Sequence, residues 1–455
     1  MRPIYSPYDG RVVGEVPHTT LADAEDAIVA AAAAFTHTRH LAAHRRHTIL
    51  SEIAIALGEH REAMAQTICA EAAKPIKDAR GEVDRAQLTF SLAAEEARRS
   101  GGEVLPLDLS AAANGKLGIV RRFPLGPVAA VTPFNFPLNL VAHKVAPAIA
   151  VGAPIVLKPA EKTPLTALFL QKLVHAAGWP EAAFAVLTPE TPQEIGALLA
   201  TDPRLPVFSF TGSDTVGWRL KALASKKHVT LELGGNAAVI VADDADLDHA
   251  AARCGFGGFA YSGQVCISVQ RIFVHESVFS SFCERLVADA SLLTLGDPAD
   301  ETTNLGPMIT EAAAERVESW VDQALGAGAR ALLQGTRSGA FLSPSILTQV
   351  SDNQPLACNE VFGPVVVVEP YATDDEAFAR VNASRYGLQA GVFTRDLRRV
   401  FRAYDALQVG GVIVDDVPTF RSDVMPYGGE KDSGLGREGV HYTMEEYTTT
   451  RVLVL

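Results

Sequence analysis

Cys266 and Glu232 are the two residues of this 455-residue chain whose types and settings best suit covalent chemistry. Cys266 lies in Gly263-Gln264-Val265-Cys266-Ile267-Ser268 and Glu232 in Leu231-Glu232-Leu233-Gly234-Gly235-Asn236, both among small residues that let backbone approach a ligand closely. A thiol becomes a strong nucleophile where its surroundings favour the thiolate, and a carboxylate within reach can activate water for the second half of a covalent mechanism. An isolated cysteine is more often an inert small hydrophobe, and an isolated glutamate is more often solvated. The rest of the chain has to decide between these readings.

Three loops at the ends of strand-like segments add the polar groups that a nucleotide would need. Pro133-Phe134-Asn135-Phe136-Pro137 puts an amide on a rigid turn, Lys158-Pro159-Ala160-Glu161 sets a cation three residues from a carboxylate, and Phe210-Thr211-Gly212-Ser213 opens directly into a helix. A helix start offers free N–H groups and a positive dipole end to a phosphate. The chain has no G-x-G-x-x-G, which argues against the standard dinucleotide fingerprint but leaves another phosphate or nucleotide site open. Later, Glu360-Val361-Phe362-Gly363-Pro364 and Met425-Pro426-Tyr427-Gly428-Gly429 carry a further carboxylate and aromatic rings, with Arg421 just ahead of the second.

These groups need elements to hold them. Between residues 128 and 233, strand-like segments at 129–132, 154–158, 184–187, 207–210 and 228–233 alternate with helical ones at 137–150, 165–177, 193–200 and 215–224. That alternation predicts right-handed βαβ units and a parallel sheet with its ligand at the carboxyl edge. A second α/β unit is expected after Gly235, with strands at 238–241, 271–275, 365–369, 391–394 and 410–414 and helices at 246–261, 278–288, 310–327 and 374–383. Residues 1 to 107 read as scaffold with nothing chemical in it, built on Ala-rich helices at 21–35, 45–59 and 61–73. Residues 117–127 and the tail 448–455 read as strands, the first half-exposed, either an edge awaiting a partner or a plain surface hairpin.

Length and composition set the bounds. A chain of 455 residues with 48% apolar content suits two or three globular domains. It has no run of apolar residues long enough to span a membrane, and its N-terminus has no signal-peptide core, so a cytoplasmic protein is expected. Five scattered cysteines without a C-x-x-C pair argue against a disulfide framework and against a metal site. A net charge of −13 disfavours nucleic acid and anionic membranes as partners.

Taken together and in this order, Phe134-Asn135-Phe136-Pro137, Lys158-Pro159-Ala160-Glu161, Phe210-Thr211-Gly212-Ser213, Glu232-Leu233-Gly234-Gly235-Asn236, Gly263-Gln264-Val265-Cys266, Glu360-Val361-Phe362-Gly363-Pro364 and Ser433-Gly434-Leu435-Gly436-Arg437-Glu438 resemble the NAD(P)-dependent aldehyde dehydrogenase superfamily. The resemblance implies an α/β fold with two Rossmann-like domains and a small β oligomerisation domain. An NAD-binding domain would comprise 1–107 and 123–234, a catalytic domain 235–444, and an oligomerisation arm 108–122 with 445–455. It implies a homodimer or homotetramer acting on a small aldehyde. Cys266 would attack the aldehyde, the Asn135 amide and the Cys266 N–H would hold the oxyanion, and Glu232 would activate the water that hydrolyses the thioester. Thr132, Phe134, Lys158, Glu161, Gly212, Ser213, Glu360 and Phe362 would contact the cofactor. A carboxylate at Glu161 favours NAD over NADP, although Lys158 and Lys162 could receive a 2′-phosphate.

The resemblance extends to relatives acting on lactaldehyde, glyceraldehyde 3-phosphate and sulfo- or phosphonoacetaldehyde. Arg421 would pair with a carboxylate, sulfonate or phosphate, with Tyr427 beside it in the substrate tunnel. A surface arginine bound to Asp423 or Asp416 is the competing reading of Arg421. Val265 stands where some phosphate-acting relatives carry an arginine, which favours a smaller polar or singly charged aldehyde. Two alternatives accompany this expectation: a CoA-acylating relative, against which Glu232 argues, and a non-catalytic protein that keeps the fold.

Overall fold

Nearly uninterrupted apolar runs such as Val128–Val131 and Ala237–Val241 are what a strand buried on both faces requires. In the computed structural model, which describes residues 1–99 and 101–455, such strands build two largely parallel sheets. The first runs Gly434–Leu435, His228–Glu232, Val207–Thr211, Val128–Val131, Ile155–Lys158, Phe184–Val186, with its Gly434–Leu435 edge antiparallel. The second runs Arg330–Leu333, Ser345–Thr348, Val365–Tyr371, Val269–His275, Ala237–Val241, Gln389–Phe393, Gly411–Val414, with an antiparallel pair at Arg330–Leu333.

Register explains why the sequence motifs meet. Val131 pairs with Lys158 and Phe210, and Thr211 pairs with Glu232, so four neighbouring strands of the first sheet end together. The loops carrying Thr132, Lys158, Gly212 and Glu232 therefore sit side by side at its carboxyl edge, at strand spacings of about 5 Å. In the second sheet Ala237 pairs with Val269, and Arg271 with Val367, so the segments carrying Gly235, Cys266 and Glu360 all enter neighbouring strands at their amino ends. The strand after the thiol begins at Val269, two residues ahead of the expected 271–275.

Residues 1–107 hold more than the three expected helices. A 24-residue helix, Ile76–Arg99, follows Leu21–Thr38, Ala43–Glu59 and Arg61–Ala72. Ala73 turns left-handed and ends one helix; the Pro75 carbonyl accepts the N–H groups of Asp78 and Ala79 and so starts the next. From this region two buried carboxylates reach into the first sheet's layer. Glu71 accepts the N–H groups of Leu165 and Thr166 at 2.7 and 3.0 Å, capping helix Pro164–Ala176 just after the Lys158–Glu161 loop. Glu82 accepts those of Leu138 and Asn139 at 2.8 and 3.0 Å, capping helix Asn139–Val151 just after Asn135, and pairs with the buried Lys74.

Helix Asn139–Val151 is buried along its whole length, including the polar Asn139, His143 and Lys144. It packs chiefly against Ile76–Arg99, whose apolar face is spaced for it. A third, antiparallel sheet joins Gly102–Pro106, Leu117–Pro124 and Thr448–Val454, and it leaves Val104, Val452 and Leu453 exposed. Its first strand lies ahead of the 108–122 stretch. Among the described residues no helix is long and apolar enough to cross a membrane.

Removing Glu82 strands a buried ammonium and two helix-start N–H groups at once. Glu82→Ala is expected to lower unfolding free energy by about 3 kcal/mol or more, read by urea titration of the fluorescence of the buried Trp179. Glu96→Ala, at a partly exposed pair with Arg99, is expected to change it by less than about 1 kcal/mol.

Candidate active site

The thiol is presented by a backbone that no ordinary loop would adopt. Tyr261, Ser262 and Gly263 all have positive φ, at 49°, 54° and 70°, a conformation that costs roughly 1–2 kcal/mol at each non-glycine residue. Packing and hydrogen bonds hold it there: Tyr261 Oη donates to the Ala72 carbonyl at 2.8 Å and Ser262 Oγ to the Gly306 carbonyl at 2.6 Å. The Lys74 ammonium lies over the Tyr261 and Phe136 rings at 4.7 and 3.6 Å. Gly263 presses on the loop of Glu360, since a β-carbon there would meet the Gly363 carbonyl at 2.1 Å. Asn135 Nδ2 donates to the Gln264 carbonyl at 2.9 Å, while its Oδ1 is buried without a partner.

Cys266 then stands in a wall shared by two cavities. The first, about 460 Å³, is lined by Thr132, Phe134, Asn135, Lys158, Glu161, Gly212, Ser213, Glu232, Glu360 and Phe362, which is every cofactor contact expected from the sequence together with all three expected catalytic groups. Ser213 precedes helix Asp214–Leu223 without capping it, which leaves its hydroxyl to the cleft. Lys158 pairs with Glu161 and donates to the Pro159 carbonyl. Phe134 and Phe362 meet edge to face at 5.8 Å. Glu360 Oε1 accepts the Gly235 N–H at 3.0 Å, and its Oε2 lies where a side chain on Gly234 would begin. Burial pushes the Glu360 carboxyl up to about 7.

The second cavity, about 300 Å³, has Cys266, Phe136, Tyr261, Val265, Ile267, Arg421 and Tyr427 in its wall, together with Lys77, Asp78 and Arg85 of the N-terminal region. The expectation that residues 1–107 carry nothing chemical is thus corrected. Helix Ile76–Arg99 brings Arg85 to the same cavity as the thiol, where Asp423 accepts from Arg85 at 2.7 Å and faces His143 Nε2 at 2.8 Å. Burial opposes the Asp423 carboxylate, but His143 and Arg85 outweigh it and hold it below its ordinary range. No local motif signals Arg85, because its partner lies 338 residues away.

Arg421 is neither on the surface nor bound to Asp423 or Asp416. Its side chain is only 6% exposed, donates through Nη2 to Glu438 at 2.8 Å, and lies over the Tyr427 ring at 3.9 Å. Lys144 Nζ donates to Ser209 at 2.9 Å and stands 3.4 Å from Glu438. Burial disfavours the Glu438 carboxylate, yet Lys144, Arg421 and His143 bring it down to about 2. Asp416 is taken by Arg253 at 2.6 Å.

Glu232 is the contrast. Both of its oxygens are buried without a partner, and burial followed by the neighbouring Glu438 charge holds its carboxyl well above the usual range. Tyr427 Oη and Cys266 Sγ are 3.2 Å apart. Burial raises the thiol to about 11; Tyr427 and Arg421 work against that rise and Glu360 and Glu232 with it. Cys266 is half-buried and lines both cavities, and its burial favours the protonated sulfur.

The arrangement provides a nucleophile between a larger polar cleft and a smaller cation-bearing pocket, with a bare carboxyl group in the cleft. Known proteins resemble the chain as a whole. The model of the aldehyde dehydrogenase family matches residues 2–453. The 3-sulfolactaldehyde dehydrogenase of Priestia aryabhattai is 42% identical over 452 residues, covering 99% of this chain and 94% of that protein. Aldehyde dehydrogenase 21 of Physcomitrella patens, solved with the reaction product succinate, has a TM-score of 0.97 at 46% identity, covering 100% of this chain and 94% of that one. Glyceraldehyde-3-phosphate dehydrogenase of Methanocaldococcus jannaschii, solved with NADP, has a TM-score of 0.96 at 38% identity, covering 100% and 99%. Matched from end to end in sequence and in fold, the chain belongs to the aldehyde dehydrogenase family.

Proposed function

We propose that this protein oxidises a small polar or anionic aldehyde to its carboxylate, with NAD or NADP, through a covalent adduct on Cys266. The observation that carries the reading is the position of Cys266 in the wall between the polar cleft and the cation-bearing cavity. A dinucleotide fits the cleft's donor set: buried Thr132 and Thr211 hydroxyls without partners, a helix start at Ser213 with its hydroxyl free, and Glu360 against Gly235. Lys158, Glu161 and Ser213 would hold the adenosine and pyrophosphate end, and Glu360 with Phe362 the nicotinamide end. Glu161 beside Lys158 supports NAD, since its carboxylate would repel a 2′-phosphate.

A nicotinamide held there would supply the acceptor for the hydride that leaves the aldehyde carbon. The rest is done by the chain. The Cys266 thiol releases its proton to solvent and its sulfur attacks the carbonyl carbon, and Asn135 Nδ2 and the Cys266 N–H donate to the oxygen that becomes negative, a contribution of roughly 3 kcal/mol per donor in comparable sites. Glu232 is the one carboxylate among the described residues of the cleft with neither oxygen engaged, and in its ionised form it takes a proton from water. The water oxygen bonds to the acyl carbon, the carbon–sulfur bond breaks, and the carboxylic acid leaves.

The substrate enters the cavity of Arg85 and Arg421. Both guanidiniums already have carboxylate partners, so their surplus donors, not their bare charge, would meet the anionic end. Sulfolactaldehyde, named for one relative, and succinate, bound in another, both carry an anionic group beyond the reacting carbon. The division into an NAD-binding domain (1–107, 123–234), a catalytic domain (235–444) and an arm (108–122, 445–455) follows the three larger sheets except at Gly434–Leu435, an edge of the first, and Gly102–Pro106, a strand of the third. The exposed apolar residues of the arm support a homodimer or homotetramer, and the composition supports a cytoplasmic location.

Incubating the protein with NAD and a panel of short aldehydes tests the reading by NADH absorbance: turnover without CoA supports it, and silence throughout overturns it. Cys266→Ala is expected to abolish turnover, and Glu232→Gln to give one burst of NADH and then stall, because the thioester is no longer hydrolysed. Alkylation of Cys266 by iodoacetamide, followed by mass, is expected to keep accelerating with pH past the ordinary thiol range, since burial leaves little thiolate below about 11. Arg85→Ala is expected to raise KM roughly tenfold for anionic aldehydes with little change for neutral ones, in line with the loss of a charge-assisted hydrogen bond.

A further inference from the structure

Arg421 stands between two sets of charges. On one side its Nη2 donates to Glu438 Oε2 at 2.8 Å, and Glu438 Oε1 is 3.4 Å from Lys144 Nζ. On the other side Arg421 lines the cavity that holds the thiol, and its Nε is buried without a partner. Glu232 Oε1 lies 3.2 Å from where a side chain on Gly428 would begin, one residue from Tyr427, whose backbone pairs with that of Glu438; the charges that bear on it are those of Glu438, Arg421, Lys144 and Arg437. His143, Asp423, Tyr427, Tyr447 and Cys266 are the further titratable groups that bear on Arg421, Glu438 or Glu232.

We propose that Arg421 divides its charge between Glu438 and the anionic end of the substrate, and that Glu232 therefore ionises at a different pH when the bound acyl group is charged. This rests on the reading of the site as that of a dehydrogenase for anionic aldehydes. With a neutral acyl group, the whole guanidinium charge serves Glu438 and Glu232 and favours their carboxylate forms. An anion on the guanidinium's cavity side draws on that charge and adds repulsion of its own, so Glu232 holds its proton to higher pH. A protonated Glu232 cannot accept the proton that water must release as its oxygen bonds to the acyl carbon and the carbon–sulfur bond breaks. Arg421 is thus a positioning residue for hydrolysis as well as a contact for substrate. The charge of the substrate reaches the base through the field of the Arg421–Glu438 pair.

The test is the decay of the acyl-enzyme in a single turnover of holoenzyme, sampled by rapid quench and intact mass over the acidic and neutral pH range. Succinic semialdehyde and butanal serve as charged and neutral probes of equal chain length. The acid limb of the decay is expected about one pH unit higher for succinic semialdehyde. Arg421→Gln is expected to move the butanal limb upward, and Arg421→Lys, which keeps a cation, to move it less. Coincident limbs in the wild-type protein, or a lower limb for succinic semialdehyde, overturn the proposal while leaving the dehydrogenase reading in place. Failure of both aldehydes to form any acyl-enzyme overturns both.

Discussion

A carboxylate taken out of water has to be given donors, a cation or a proton, because its solvation is worth far more than any one contact. That constraint orders this structure. Glu71 and Glu82 are given the starts of two helices, and each helix follows a loop of the polar cleft. Glu438 is given Lys144 and Arg421, and Asp423 is given Arg85 and His143. Each pairing ties together segments remote in sequence, and together they fix where Asn135, Lys158 and Arg421 stand. Glu232 is given nothing, and its proton is the remaining way to satisfy it. The group that the fold leaves bare is the one available for proton transfer.

Much of this was legible in the chain as text. The βα alternation between residues 128 and 241 announces itself through short apolar runs and helical spacing, and the observed elements differ from that reading mostly by a residue or two at their ends. The grouping of Asn135, Glu232, Cys266 and Glu360 in one cleft was legible from motif order and family resemblance, not from local chemistry. What escaped was long-range. Pro75 reads as a breaker, and so it is for the helix before it, but it also begins the helix that carries Glu82 and Arg85. The partner of Arg421 escaped for the same reason. Sequence proximity offered Asp423 and Asp416, whereas the fold gives those to Arg85, His143 and Arg253 and brings in Glu438.

The two cavities that share Cys266 divide the work of recognition. The polar cleft is built from strand ends of both sheets, so its shape follows from the register of the hydrogen-bonded ladders. The smaller cavity is built from a helix flank, two loops and the aromatic rings of Phe136 and Tyr427. Side chains there can change without disturbing a ladder, while Cys266 keeps its place at the meeting of the two.

The contact of Gly263 with the Gly363 carbonyl bears on how such a chain can drift over generations. Any side chain at position 263 would drive the nucleophile's turn and the Glu360–Phe362 turn apart, so neither can be remodelled alone. Novelty is therefore steered toward the Arg85 flank, where a new preference can be tried one replacement at a time. The seam of touching backbones is inherited whole or lost whole.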